Sequence, residues 1–147
     1  MLALQRPSAA TDDLSALLVS YIARDTHPPA IVVVDDEPDR LTILHRLLRD
    51  LAHNHTLIAV STGHAALELL AMCPVSLLIT DYNMLGMDGL ELIAATKKTS
   101  PQTRTVLITA YDSPELERRV RATPVDDYLA KPFPLEWLEQ IVRETLH

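Results

Sequence analysis

At 147 residues, 48% of them hydrophobic, the chain has the length of one domain and enough apolar side chains to fill one core. A net charge of −7 and a pI near 5.2 leave no basic patch, which argues against nucleic acid and against an anionic membrane surface as partners. No run approaches the roughly 18 apolar residues of a membrane span. The N-terminus MLALQRPSAA lacks a signal-peptide pattern, and a lone Cys73 forbids an intrachain disulfide, so the expected setting is cytoplasmic.

In chain order, the first element is a helix over about residues 12–25. Leu14, Leu17, Leu18, Tyr21 and Ile22 recur at helical spacing, Thr11 or Asp12 can cap the start, and Pro28-Pro29 cannot continue it. So short a helix is marginal alone in water, so its apolar face needs a cover. That cover is either its own domain or, the reading favoured here, a second copy in a two-fold homodimer. Ile31–Val34 is a continuous β-branched run, as expected of a strand buried on both faces, and it runs into Asp35-Asp36. Arg40–Leu51 carries Leu41, Leu44, Leu48 and Leu51 on one helical face. Thr56–Val60 is a second strand and Thr62–Met72 a second helix. Cys73, beside Met72, reads as inert core. Ser76–Thr80 is a third strand, ending at Asp81. Leu90, Ile93 and Ala94 mark a third helix. Thr105–Ile108 is a fourth strand, ending at Thr109, and Glu115–Arg121 a short charged helix. Asp127–Ala130 is a fifth strand, ending at Lys131. Leu135, Leu138, Ile141 and Val142 mark the last helix, with Trp137 expected at the border of its apolar stripe and partly buried.

Strand alternating with helix five times predicts an α/β domain with a parallel sheet and helices on both faces. Such sheets bind ligands beyond the carboxyl ends of their strands. There the sequence places Asp35, Asp36, Asp81, Thr109 and Lys131: three carboxylates, a hydroxyl and an amine. Singly, each has a plain reading as a cap, a loop residue or a solvated charge. Together they describe a site. Converging carboxylates repel one another unless a cation lies among them. Oxygen donors suit Mg²⁺, and no His or Cys converges there to suit zinc. A carboxylate beside Mg²⁺ can accept a phosphoryl group as an acyl phosphate, with a lysine and a hydroxyl on the phosphoryl oxygens.

The motifs VVVDDEP, LLITDYNMLGMDGLEL, VLITA and DDYLAKPF, in that order, resemble the receiver domain of two-component response regulators, of the stand-alone, chemotaxis-regulator type. The resemblance spans Ala30 to His147. It divides the chain into an N-terminal extension, 1–29, and a receiver domain, 30–147. It implies a flavodoxin-like, doubly wound five-stranded sheet in the order 2-1-3-4-5, here with an extra N-terminal helix. It implies Asp81 as phosphoacceptor and Mg²⁺ as cofactor, held by Asp81, by Asp36 directly, by Asp35 through water or as a second acid, and by the backbone carbonyl of Asn83. It implies Thr109 as switch hydroxyl, Lys131 on the phosphoryl group in a cis Lys131–Pro132 unit, and Tyr128 as the aromatic that follows Thr109. The implied partners are a sensor histidine kinase or histidine phosphotransfer protein and an unnamed downstream protein. The implied function is a phosphorylation-activated switch, not an enzyme. The sequence departs from the pattern at Leu85, where the family often has Pro, and at Pro124-Val125, where it often has Gly-Ala.

The sequence is open to other readings. A Mg²⁺-dependent aspartyl-phosphate hydrolase would need an acid two residues after Asp81, where Asn83 stands. An inert interaction module has no use for so complete a pocket. The chain ends with its last helix and shows no output domain, which reads as a stand-alone receiver or as the receiver of a larger regulator. His53-Asn54-His55 lacks a third ligand and reads as solvated loop. Glu115–Arg121 reads as a solvated helix face.

Overall fold

The computed structural model describes residues 29–52, 55–110 and 113–146. The expected helix over about residues 12–25 and the His53-Asn54 pair lie outside the described residues. Within them the chain alternates β1 (Ala30–Val34), α1 (Pro38–Arg49), β2 (Thr56–Val60), α2 (Gly63–Met72), β3 (Val75–Asp81), α3 (Gly89–Thr99), β4 (Arg104–Thr109), α4 (Pro114–Ala122), β5 (Asp127–Ala130) and α5 (Leu135–Leu146). The five strands are parallel, in the order β2-β1-β3-β4-β5. This is the doubly wound, flavodoxin-like sheet expected from the motifs.

The two faces of the sheet follow from the period of two along each strand. Val32, Val34, Leu78 and Leu107 point to one face, where Ala66 and Leu69 of α2, Leu90 and Ile93 of α3 and Leu116 of α4 cover them. Ile31, Val33, Leu77, Ile79 and Val106 point to the other, under Leu41 and Leu48 of α1 and Leu138, Ile141 and Val142 of α5. Every residue of β1 is buried, since both of its faces are covered. Each such side chain, fully buried, contributes about 1.5–3 kcal/mol. Trp137 is 55% exposed rather than partly buried. It lies about 100° around the helix from Leu138 and about 40° from Ile141, at the border of the face that Leu138, Ile141 and Val142 present, and there its ring is left largely to solvent.

Helix starts are set by local chemistry. Glu37 caps α1 by accepting from the Asp39 N–H (3.2 Å), and Pro38 opens the first turn where no N–H is needed. This moves the start of the helix two residues ahead of the expected Arg40. Thr62 caps α2 (3.0 Å from the Ala65 N–H), and Asp88 with Glu91 forms a reciprocal capping box on α3 (2.8 and 2.9 Å). Ser113 caps α4. Thr123, before Pro124, is extended (φ −114°, ψ 141°), as a residue preceding proline should be.

Candidate functional site

The register of the sheet brings the strand ends together. Val34 lies beside Val60 and Thr80, Asp81 beside Ile108, and Thr109 beside Ala130. Asp81 is the last residue of β3, inside the ladder rather than just after it, and its side chain is only 8% exposed. Two hydrogen bonds fix the chain around it: Tyr82 N–H to the Ile108 carbonyl (2.8 Å) and Gly89 N–H to the Tyr82 carbonyl (2.9 Å). The second draws the start of α3 so close to β3 that a Cβ at residue 89 would collide with the Asp81 carbonyl oxygen, so only glycine fits there. The Asn83 N–H donates to Asp81 Oδ2 (3.1 Å).

Of the other sequence-predicted groups, Lys131 reaches this carboxylate, and the rest lie at or near the same edge of the sheet. Lys131 follows β5, and its N–H donates to the Thr109 carbonyl (2.7 Å). Its Nζ stands 3.6 Å from Asp81 Oδ1. The Lys131–Pro132 peptide is cis, as the motif implies. Thr109 is buried at the end of β4. Alternation along β4 places it on the face of Leu107, and Tyr128, paired with Leu107, is half-buried against that same face. Asp35 is almost wholly buried and takes the Glu37 N–H on Oδ1 (2.9 Å). Asp36 is half-exposed, and its Oδ2 accepts the N–H of Leu85 (2.9 Å) from the β3–α3 loop, 49 residues away.

Two carboxylates both buried at one strand edge affect one another. Burial pushes the Asp81 carboxyl above its ordinary pKa and the charge of Asp35 pushes it further, while Lys131, Arg40 and the Asn83 N–H act the other way. Arg40, in the first turn of α1, supplies a second cation. Its Nε and Nη2 grip Asp35 at 3.0 and 3.1 Å, and Nη2 lies 4.0 Å from Asp81 Oδ2. A cavity of about 160 Å³ opens from these groups between α1 and the β5–α5 loop, walled by Ile43, Leu44, Ile108 and Phe133.

Arg40 is the functional-site residue that sequence reasoning read only as the start of a helix. The available signal was its place one turn after an acid pair, from which a long side chain reaches back over the helix N-terminus. Leu85 was noticed as a departure from the motif, not as a donor to Asp36.

The donor chemistry fits a hard divalent cation. Asp35, Asp36 and Asp81 offer only oxygens, and the electrostatic demand for positive charge is visible in the repulsion between Asp35 and Asp81. Among the described residues, no three Asp, Glu, His or Cys side chains are already gathered as a metal cluster. Arg40 occupies Asp35 and the Leu85 N–H occupies Asp36.

The structure thus sets an acidic pocket beside a strand-end lysine and hydroxyl, on a flavodoxin-like sheet. Residues 31–143 match the response regulator receiver domain family. The chain therefore belongs to that family. It is 33% identical over 116 residues to the transcriptional regulatory protein ZraR of Escherichia coli, covering 79% of this chain and 26% of ZraR. It is 31% identical over 119 residues to the sensor histidine kinase GacS of Pseudomonas protegens, covering 78% of this chain and 13% of GacS. The chain thus spans about a quarter or less of the length of these curated relatives. Among solved structures, the signal receiver domain of an HD domain-containing protein from Pseudomonas fluorescens superposes with a TM-score of 0.73 at 30% identity, covering 81% of this chain and 94% of that one. The response regulator TrrA of Thermotoga maritima, solved in complex with Mg²⁺-BeF, does so with 0.69 at 28%, covering 80% and 99%. No helix among the described residues is long and apolar enough to cross a membrane.

Proposed function

We propose that this receiver is switched by phosphorylation of Asp81, with the phosphoryl group coming from the phosphohistidine of a sensor histidine kinase or phosphotransfer protein. One observation carries the assignment. Asp81 closes the central strand almost buried, with an ammonium 3.6 Å from one oxygen and a repelling carboxylate nearby. Its raised pKa marks a carboxylate poorly solvated by water, hence available as a nucleophile once ionised and partnered.

The chemistry follows from the groups present. An Asp81 oxygen attacks phosphorus in line, and the P–O bond forms as the partner's P–N bond breaks. The imidazole leaves with the electron pair and takes up a proton from solvent. Lys131 Nζ and the Thr109 hydroxyl donate to phosphoryl oxygens as charge builds on them. Mg²⁺, held by Asp35, Asp36, Asp81 and the Asn83 carbonyl, supplies neutralising charge on the phosphoryl oxygens when bound. That TrrA, a receiver of similar fold, was solved in complex with Mg²⁺-BeF supports a Mg²⁺ site here. Drawing Thr109 toward the phosphoryl group frees space into which Tyr128 turns, which changes the α4–β5 surface offered to a downstream partner. Phosphorylation shifts that equilibrium only by its differential interaction with the two states.

Incubation with acetyl phosphate and Mg²⁺, followed by intact-mass measurement, tests the reading. The expected result is a lasting phosphoryl adduct that hydroxylamine removes. Continuous turnover of the donor without adduct would favour the hydrolase, and neither adduct nor turnover would leave an inert module.

A further inference from the structure

We infer that Arg40 and the Leu85 N–H form a latch on the acid pair, and that a divalent cation must displace this latch to load the pocket. The inference rests on the reading of Asp35 and Asp36 as cation ligands and adds what sets their affinity. Both oxygens of Asp35 are committed: Oδ2 to Arg40 Nε, and Oδ1 to Arg40 Nη2 and the Glu37 N–H. Paired N–H···O bonds from one guanidinium are among the stronger side-chain contacts. The same Nη2 lies 4.0 Å from Asp81 Oδ2, so the guanidinium bridges the two buried carboxylates, where a divalent ion would coordinate both. Asp36 is held separately by Leu85. A proline at residue 85 would have no N–H to give, so this contact exists only because a non-proline residue stands there.

Two cations cannot share that space. A guanidinium a few ångströms from a bound divalent ion is repelled by it, and more strongly in a site largely shielded from water than in bulk solvent. The arginine can leave without being stranded, because its side chain is 44% exposed and lines the same open cavity as Ile43 and Leu44. The arginine therefore offsets the charge of the two buried carboxylates, Asp35 and Asp81, when no cation is bound, while the Leu85 N–H holds Asp36. It also raises the cation concentration at which the site loads, and with it the concentration at which Asp81 can be phosphorylated.

Isothermal titration of MgCl₂ into the full chain and into Arg40→Met and Leu85→Pro tests this. Methionine keeps the apolar stem and removes the charge and donors. The expected result is Mg²⁺ binding at least about fivefold tighter in Arg40→Met, as the loss of one opposing charge requires. Binding in Leu85→Pro should be tighter by about two- to threefold, for one N–H donor lost to the half-exposed Asp36 carboxylate. The metal-free melting temperature of Arg40→Met should fall at the same time. A purely structural arginine would lower the melting temperature and leave the Mg²⁺ affinity where it was. Unchanged or weaker affinity in Arg40→Met overturns the latch, and Leu85→Pro decides the matter if Arg40→Met does not fold. If wild type and variants alike take up no Mg²⁺, the cation assignment itself falls and the latch with it.

Discussion

A carboxylate buried as deeply as Asp81 destabilises the fold when it is ionised, because water cannot reach it and Asp35 repels it. Its folded pKa is raised, so folding favours the protonated acid. That contribution is present below the unfolded value near 3.8 and is lost as pH rises through the folded value. Asp81→Asn escapes the penalty. Without Mg²⁺ at pH 7 it should be more stable than wild type by on the order of 1 kcal/mol, about 3 °C in Tm for a domain of this size. The advantage should fade on acidification toward pH 4, as followed by thermal melts across that range. A lower Tm for Asp81→Asn at pH 7 would mean that its partners, not its burial, dominate. Asp81, Thr109 and Lys131 were legible in the sequence because each is a polar residue closing an apolar run, and the parallel sheet aligns those ends. The role of Arg40 was not, since its reach depends on where the first turn of α1 sits over Asp35. Nor was the donor role of Leu85, a contact between residues 49 apart.

The β3–α3 loop beside Asp81 is tied to α4 by three contacts at Arg119. Its Nη1 donates to the Tyr82 hydroxyl (2.8 Å), its Nη2 to Asp88 (3.2 Å), and its guanidinium lies over the Tyr82 ring 5.7 Å from the centroid. Asp88 is also the N-cap of α3, so one side chain serves both helices. Asp88→Ala should cost about 1–2 kcal/mol in urea unfolding, the usual loss for a cap with a further ion pair at its outer edge. It should also lower hydrogen-exchange protection in α4 as well as α3, and loss confined to α3 would deny the link. At the opposite edge of the sheet, Asp126 accepts from Lys97 Nζ and from the N–H and hydroxyl of Thr105. Burial acts to raise its pKa, but those hydrogen bonds outweigh it, and the carboxyl sits below its ordinary value. Its contribution is present above about pH 3.8 and is lost as pH falls through the lower folded value. Asp126→Asn should therefore lose stability relative to wild type at pH 6 and converge on it in strong acid, as urea midpoints at the two pH values would show. The caps at Thr62, Asp88 and Ser113 went unread in the sequence, although Asp88 with Glu91 three residues on has the spacing of a capping box. The Arg119 contacts could not be read there, because a mixed-charge helix gives no sign of which charge faces a neighbour.

At the scale of the molecule, the two apolar clusters on either side of the sheet hold its strand ends rigid while leaving their carboxyl edge open to solvent. Alternating strand and helix periods made the fold class readable, and the motifs gave the strand order. The depth of Asp81 within β3 and the occupied state of its acid pair needed the packed chain. The rigid edge explains how a site of so few groups can work: each reacting or stabilising group is fixed by a strand end, and only α1 and the loops around it need yield to a cation. The account stands on Asp81 as the residue that carries phosphate. The most direct measurement is chemical mapping of the adduct. The protein is loaded with acetyl phosphate and Mg²⁺, reduced with borohydride, which converts an aspartyl phosphate to homoserine, and digested for peptide sequencing by mass spectrometry. Homoserine at position 81, with no labelling in Asp81→Asn, is the predicted result. Homoserine at Asp35, Asp36 or elsewhere, or undiminished labelling of Asp81→Asn, would contradict it.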